Sequence, residues 1–247
     1  MNRFAQVFKC CQHHRMAIIG MVHVRALPMS PMNTLSVDQL IEISCHETEV
    51  YKKHGLDGIC VENMFDRPYV RSQHSGPEVT ACMTRICAEV KRSAGSIPVG
   101  VQVLAGLNRE ALAVCLASGL QFIRCESYVF GHIADEGYMD GCAGPLARYR
   151  NQLNANNVLI LTDIKKKHSS HAITADVDVL ETAKAAEFFL SDGVIVTGSR
   201  TGDLPDVGVV DSIKKSGVRL PVIIGSGVSD VNVKSCVDVK TDAVIIG

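Results

Sequence analysis

The chain has 247 residues, 47% of them hydrophobic and 21% charged, with a formal net charge of -1. That is enough chain for one large core, and the balanced charge leaves no basic footprint for nucleic acid or an acidic membrane surface. No apolar run approaches the ~20 residues of a membrane span, so an integral membrane protein is excluded as a reading.

The first fifteen residues carry Arg3, Lys9 and Arg15 and no acid, and Phe4, Val7 and Phe8 can share one helical face. Two readings fit: a targeting segment, which would place the protein in the mitochondrion rather than the cytoplasm, or an N-terminal helix that caps the bottom of the domain. Residues 16–247 then read as a single domain without linkers or low-complexity segments.

Short apolar runs rich in β-branched residues recur along this domain: Ala17–Val22, Gly58–Val61, Val99–Leu104, Phe122–Cys125, Val158–Leu161, Val194–Val196, Val222–Ile224 and Ala243–Ile246. Amphipathic stretches alternate with them at Val37–His54, Val79–Ser93, Arg109–Ala117, Val177–Leu190 and Val209–Ser216. Continuous apolar strands between helices indicate a parallel sheet covered on both faces. Eight units in one chain predict a closed (β/α)₈ TIM barrel over an open sheet. Gly55, Gly119 and Gly217 stand where helices should stop, and Pro98 and Pro221 open the third and seventh strands. The chain reaches Gly247 directly after the eighth run, which predicts a barrel truncated after strand 8, with the eighth helix missing.

The carboxyl end of almost every strand carries polar groups. In order they are His23; Glu62, Asn63 and Asp66; Gln102; Arg124 and Glu126; Asp163 and Lys165; Thr197-Gly198-Ser199 with Thr201-Gly202; and Gly225-Ser226-Gly227. Charges inside apolar strands are costly unless paired or functional, and barrel sites form at this end. Period-2 alternation puts Arg124 with Glu126, and Asp163 with Lys165, on one face. Glycines after strand seven, ahead of a short helix starting near Ser229, leave backbone N–H groups for a phosphate.

The catalytic candidates are therefore Asp163, Lys165, Glu62, Glu126, Arg124, His23 and His168. The ligand-binding candidates are Asn63, Gln102, Thr197, Gly198, Gly225, Ser226 and Gly227. Lys166 and Lys167 read as solvated surface. His168 and His171, three apart, read as loop groups closing over a ligand rather than as metal ligands. The ten cysteines contain no CxxC pair and read as reduced thiols, so no metal site is assigned and the cofactor stays unknown.

Particular segments are distinctive: Ile19-Gly-Met-Val-His-Val24 with Ala26-Leu27-Pro28, Gly55-Leu-Asp-Gly58, Val61-Glu-Asn-Met64 and Pro98-Val-Gly-Val-Gln-Val-Leu104. Phe122-Ile-Arg124, Asp135-Glu-Gly137, Arg148-Tyr-Arg150, Asp163-Ile-Lys-Lys-Lys-His-Ser-Ser-His171, Val196-Thr-Gly198 and Ile224-Gly-Ser-Gly-Val228 continue the series. On these the chain resembles the BtpA family, its eukaryotic branch in particular, over roughly residues 16–247. The resemblance implies a barrel of the ribulose-phosphate-binding type, and members of the eukaryotic branch tend toward mitochondrial prediction. In photosynthetic bacteria the family is associated with photosystem I accumulation.

Two departures bear on this. Met29 stands where members usually have glycine after Leu-Pro, and members continue past strand eight with a Gly-Ser turn and a lysine-bearing loop, which predicts a half-formed phosphate cradle here. The function expected from the residues is an enzyme acting on a small phosphorylated sugar or nucleoside-like substrate, with Asp163 as general base or acid opposite Glu62 or Glu126. The alternative is a non-catalytic assembly or stability factor. A homo-oligomer is compatible with either.

Overall fold

The computed structural model describes residues 2–200 and 202–247. Thr201, read above as part of a strand end, and Met1 lie outside the described residues. The chain begins with a short helix α1 (Arg3–Val7) and a 3-10 turn, then enters β1 (Ala17–His23). It continues through α2 (Val37–Lys53), β2 (Gly58–Glu62), α3 (Pro77–Ala94), β3 (Val99–Gln102), α4 (Asn108–Ala117) and β4 (Phe122–Cys125). A small hairpin follows, β5 (His132–Ala134) and β6 (Gly137–Met139), and then α5 (Ala143–Gln152), β7 (Leu159–Ile164) and β8 (Ser169–Ser170). The last units are α6 (Val179–Phe188), β9 (Gly193–Val196), α7 (Val207–Lys215), β10 (Val222–Ile224), α8 (Val233–Asp238) and β11 (Ala243–Ile246).

The barrel closes in the order β1-β11-β10-β9-β7-β4-β3-β2, every pair parallel, while β6-β5-β8 form a separate antiparallel sheet beside its mouth. The eight expected strands are these barrel strands. Three run further than their apolar cores: β1 includes His23 and β2 includes Glu62, which pair with each other, and β7 extends through Thr162-Asp163-Ile164 because those residues pair with β9. Helix α5 was not expected. Its sequence, with Gly144, Pro145 and two arginines, has little apolar periodicity, and it is held by burying Ala143, Leu146 and Arg150. Met29, in place of the usual glycine, is mostly exposed and needs no positive φ.

Packing falls into an interior and two outer layers. Inside the barrel, Ile19, Met21, Cys60, Phe122, Leu159, Leu161, Ile195, Ile223 and Ile245 pack with Phe4 and Phe8. The N-terminal segment is therefore part of the core. Phe8 lies with its ring centroid 4.5 Å from Phe4 and 5.5 Å from Phe122. Gly58 makes room for it, since a Cβ there would stand 2.6 Å from the Phe8 ring. Of the two readings of residues 1–15, capping describes what residues 3–13 do in the fold. Outside the barrel, α2–α5 pack over one group of strands and α6–α8 over the other.

The bottom of the barrel carries a repeated device that the sequence did not announce. At the start of four alternate barrel strands stand Asp57, Gln121, Asp192 and Asp242. Each donates its backbone N–H to the carbonyl of a residue on the preceding strand (Ile18, Val99, Ile160, Val222; 2.8–2.9 Å). Each also accepts that same residue's N–H on its side-chain oxygen (2.8–3.0 Å). The reciprocal pair satisfies a strand-end amide that would otherwise be an orphan donor. It also sets the register that places the opposite, carboxyl ends of the strands side by side.

Candidate active site

A cavity of about 740 Å³ opens at the carboxyl ends of the barrel strands. Parallel register alone assembles its first wall: His23 of β1 lies opposite Glu62 of β2, and Glu62 opposite Gln102 of β3. His23 Nε2 stands 3.4 Å from Glu62 Oε2. Gln102 is 3% exposed, and its Oε1 has no hydrogen-bond partner among the described residues. A buried unpaired amide oxygen costs free energy, so this wall is set to accept a donor from whatever fills the cavity.

The second wall is ionic. Arg124 on β4 and Asp163 on β7 form a bidentate pair, Nε to Oδ2 at 2.9 Å and Nη2 to Oδ1 at 2.8 Å, with both side chains buried. Burial acts to lower the Arg124 pKa, but the Asp163 charge and its hydrogen bonds outweigh it and raise the guanidinium's pKa. The fork geometry commits both carboxylate oxygens of Asp163 to this one partner.

Glu126, just beyond β4, accepts from Lys166 Nζ at 2.8 Å and from the backbone N–H of Gly106 at 2.8 Å. Burial raises the Glu126 pKa above the ordinary carboxylate value, only partly countered by Lys166. For Lys166 burial is also the largest influence and acts downward, but Glu126 overrides it and raises the ammonium's pKa. A carboxyl whose folded pKa is raised binds more protons folded than unfolded, so its contribution to stability is full below the unfolded value of about 4.5 and is lost as pH rises through the folded value. Replacing Lys166 by Met removes the counter-charge and raises Glu126 further. The melting temperature of Lys166→Met is therefore expected to fall, relative to wild type, as pH rises above the ordinary carboxylate range, where the raised Glu126 loses its proton. Melts of this variant and of Lys166→Met/Glu126→Gln check it; an equal slope in both would remove Glu126 from the account.

The third wall is backbone. The N–H groups of Ser226, Gly227 and Val228 donate to no acceptor among the described residues. Ser226 Oγ is spent internally, donating to Asp203 O (2.8 Å) and accepting from Gly198 N (3.1 Å), which ties the loop after β9 to the loop after β10. Gly227 has φ +71°, and a Cβ there would lie 2.1 Å from Leu204 N. Only glycine permits this approach. Successive free N–H groups of this kind form an anion-binding concavity.

The cavity brings together His23, Glu62, Gln102, Arg124, Glu126, Asp163, His168, Thr197, Gly225, Ser226 and Gly227. Three expected site residues are not in its wall. Asn63 is fully buried and clamps the loop after β3, accepting from Leu104 N at 2.7 Å. Gly198 packs against the Asp203 backbone. Lys165 is a correction of the alternation argument. Its φ of +46° ends the strand pleat, and its ammonium turns away to Thr174, 3.0 Å to O and 3.2 Å to Oγ1. The break rotates the next residues inward, so Lys166 and Lys167, read as solvated surface, line the cavity instead.

Asp135 and Glu136, at the turn between β5 and β6, reach the cavity from the hairpin, as do Arg67 and Tyr69 from the loop after β2. No charge pattern in sequence marked the hairpin as a cover; only the distinctive Asp135-Glu-Gly137 segment hinted at it. The hairpin is braced by His132, whose Nδ1 lies 3.3 Å from Ser127 Oγ and whose ring stacks obliquely on His171. Burial, then the charges of Lys166, His171 and Lys165, push the His132 pKa down to about 4, so it is neutral near pH 7. Among the described residues no cluster of three or more His, Cys, Asp or Glu has metal-binding geometry.

Comparison with known proteins follows this geometry. The BtpA family model matches residues 14–247. A Caenorhabditis elegans protein described as uncharacterized and mitochondrial is 44% identical over 245 residues, 98% of this chain and 87% of that one. The photosystem I biogenesis protein BtpA of Synechocystis is 31% identical over 239 residues, 97% of this chain and 82% of that one. Among solved structures, the N-acetylmannosamine-6-phosphate 2-epimerase of Clostridium perfringens superposes with a TM-score of 0.59 at 14% identity, over 94% of this chain and 86% of that one. At that identity the likeness is one of fold.

Proposed function

This chain belongs to the BtpA family, and from that premise and the chemistry of its cavity we propose that it is a metabolic enzyme acting on a small phosphorylated sugar or nucleoside-like compound. One observation carries the reading. Three backbone N–H groups with no acceptor among the described residues, a guanidinium fixed by its own carboxylate, and the carboxylates of Glu62 and Glu126, with those of Asp135 and Glu136 from the hairpin, line a single cavity. The Ser226–Val228 turn holds the phosphate. Glu62 and Glu126, in different surroundings, divide the acid and base roles, with His23 beside Glu62 as its relay. Arg124 stabilises developing negative charge, and Asp163 positions Arg124. The phosphate-ester substrate named for the superposed epimerase agrees in class.

The protein works in the mitochondrial matrix or the cytoplasm, in keeping with the description of the C. elegans relative. No helix among the described residues is long and apolar enough to cross a membrane. An assembly-factor role is the second reading, and the name of the Synechocystis relative favours it.

A thermal melt with inorganic phosphate and a panel of sugar phosphates tests the proposal. A ligand at ~100 times its Kd stabilises by about 2.7 kcal/mol, roughly 5–11 °C in a chain of this size. Gly227→Ala forces the backbone of residues 203 and 204 aside and is expected to abolish that shift. A panel that leaves the wild-type melt unmoved would favour the assembly-factor reading.

A further inference from the structure

The three consecutive lysines after β7 have different fates. Lys165 is bound to Thr174 and Lys166 to Glu126. The Lys167 ammonium makes no hydrogen bond or ion pair among the described residues, yet it lines the cavity. Its backbone is nonetheless held firmly. Lys167 N donates to Thr197 Oγ1 at 3.3 Å, and the carbonyl just before it, on Lys166, accepts from His171 Nε2 at 3.0 Å. A fixed backbone carrying an uncommitted amine in a walled cavity is an arrangement for engaging a ligand, not for closing the fold.

From this we infer that Lys167 is the nucleophilic amine of the cavity, and that the substrate is a phosphorylated aldehyde or ketone. The inference rests on the anion-cradle reading above for the phosphate half of that substrate. Burial, and then the adjacent Arg124 charge, lower the Lys167 pKa, which favours the neutral amine that attack requires. Arg124 exerts that charge at every working pH, as a guanidinium does, and Asp163 fixes its position. Asp163, Glu62 and Asp203 pull the other way, and the net direction is still downward.

In the step itself, the Nζ lone pair forms a bond to the carbonyl carbon. The C=O π pair moves to oxygen, which takes up a proton, and the nitrogen gives up one, leaving a carbinolamine. Loss of water, with its oxygen protonated by a rim carboxyl such as Glu62 and the nitrogen lone pair forming the C=N bond, gives the protonated imine. No oxidant or reductant is needed. The neighbouring carboxylates are then placed to remove a proton, or break a bond, next to the imine carbon, which acts as an electron sink.

The test uses glycolaldehyde phosphate, the smallest phosphorylated aldehyde, with borohydride to reduce any imine to a stable secondary amine, followed by peptide mass mapping. Lys167 is expected to carry the adduct, and Lys167→Arg to lower labelling by roughly tenfold or more, since a guanidinium stays protonated and forms no imine. Lys167→Arg should keep its phosphate-induced melting shift, which shows that its lost labelling is not a loss of phosphate binding. Labelling confined to exposed lysines in the wild type, with Lys167 unmodified, overturns the inference. A clamp is the answer if Lys167→Ala loses the phosphate shift while the wild type forms no adduct. Unphosphorylated glycolaldehyde keeps the two claims apart. Adduct at Lys167 from both aldehydes without a phosphate shift sinks the cradle and keeps the amine, whereas a phosphate shift without adduct does the reverse.

Discussion

Asp163→Asn is expected to lower the melting temperature before any effect on chemistry can be read. The substitution leaves the Arg124 guanidinium buried without a counter-charge. Removing one partner of a buried pair costs about 3–5 kcal/mol, because the surviving charge stays desolvated. Asn keeps one acceptor oxygen, so about 3 kcal/mol is expected, a fall of roughly 6–12 °C in a chain of this length. The companion variant is Arg124→Met/Asp163→Leu, in which neither charge remains. It should recover much of the loss, since apolar replacement of a buried pair is often neutral or better. Urea melts of Arg124→Met, of Asp163→Leu and of the double, treated as a cycle, measure the coupling. An Asp163→Asn protein that melts like wild type would show the pair contributes nothing, and would return Asp163 to the role of general base that its sequence position suggested.

The second large effect is at the other end of the barrel. Phe8→Ala removes a fully buried ring from between Phe4 and Phe122 and opens the floor of the interior. The lost burial and the cavity left behind cost about 3–5 kcal/mol, or roughly 6–20 °C. Phe8→Leu should cost less than half as much. Differential scanning calorimetry of both variants decides whether the N-terminal segment is structural. Unchanged melting of Phe8→Ala would mean that the segment leaves the barrel in solution.

Much of the architecture was legible in the chain itself. Runs such as Val158–Leu161 and Val222–Ile224 are too short and too β-branched to be anything but buried strands. Their spacing by helix-length amphipathic segments leaves a closed parallel barrel as the economical solution. The cost of placing Glu62, Arg124, Glu126 and Asp163 inside or beside apolar strands also located the functional rim, because uncompensated charge is not tolerated there.

What the sequence could not decide depended on dihedral angles and on partners distant along the chain. Period-2 alternation assumes an unbroken pleat, and the left-handed turn at Lys165 ends it, exchanging Lys165 for Lys166 and Lys167 at the cavity wall. Asp57, Gln121, Asp192 and Asp242 look like ordinary turn residues until each is seen completing the preceding strand's first hydrogen bond. Helix α5 has too weak an apolar stripe to announce itself, and is held by what it covers. The sequence by itself determined which residues are apolar enough to be core and which charges had to meet. Only the tertiary structure decided which oxygen each cation would take, and so which amine was left over, because those choices are settled by geometry across strands rather than along them.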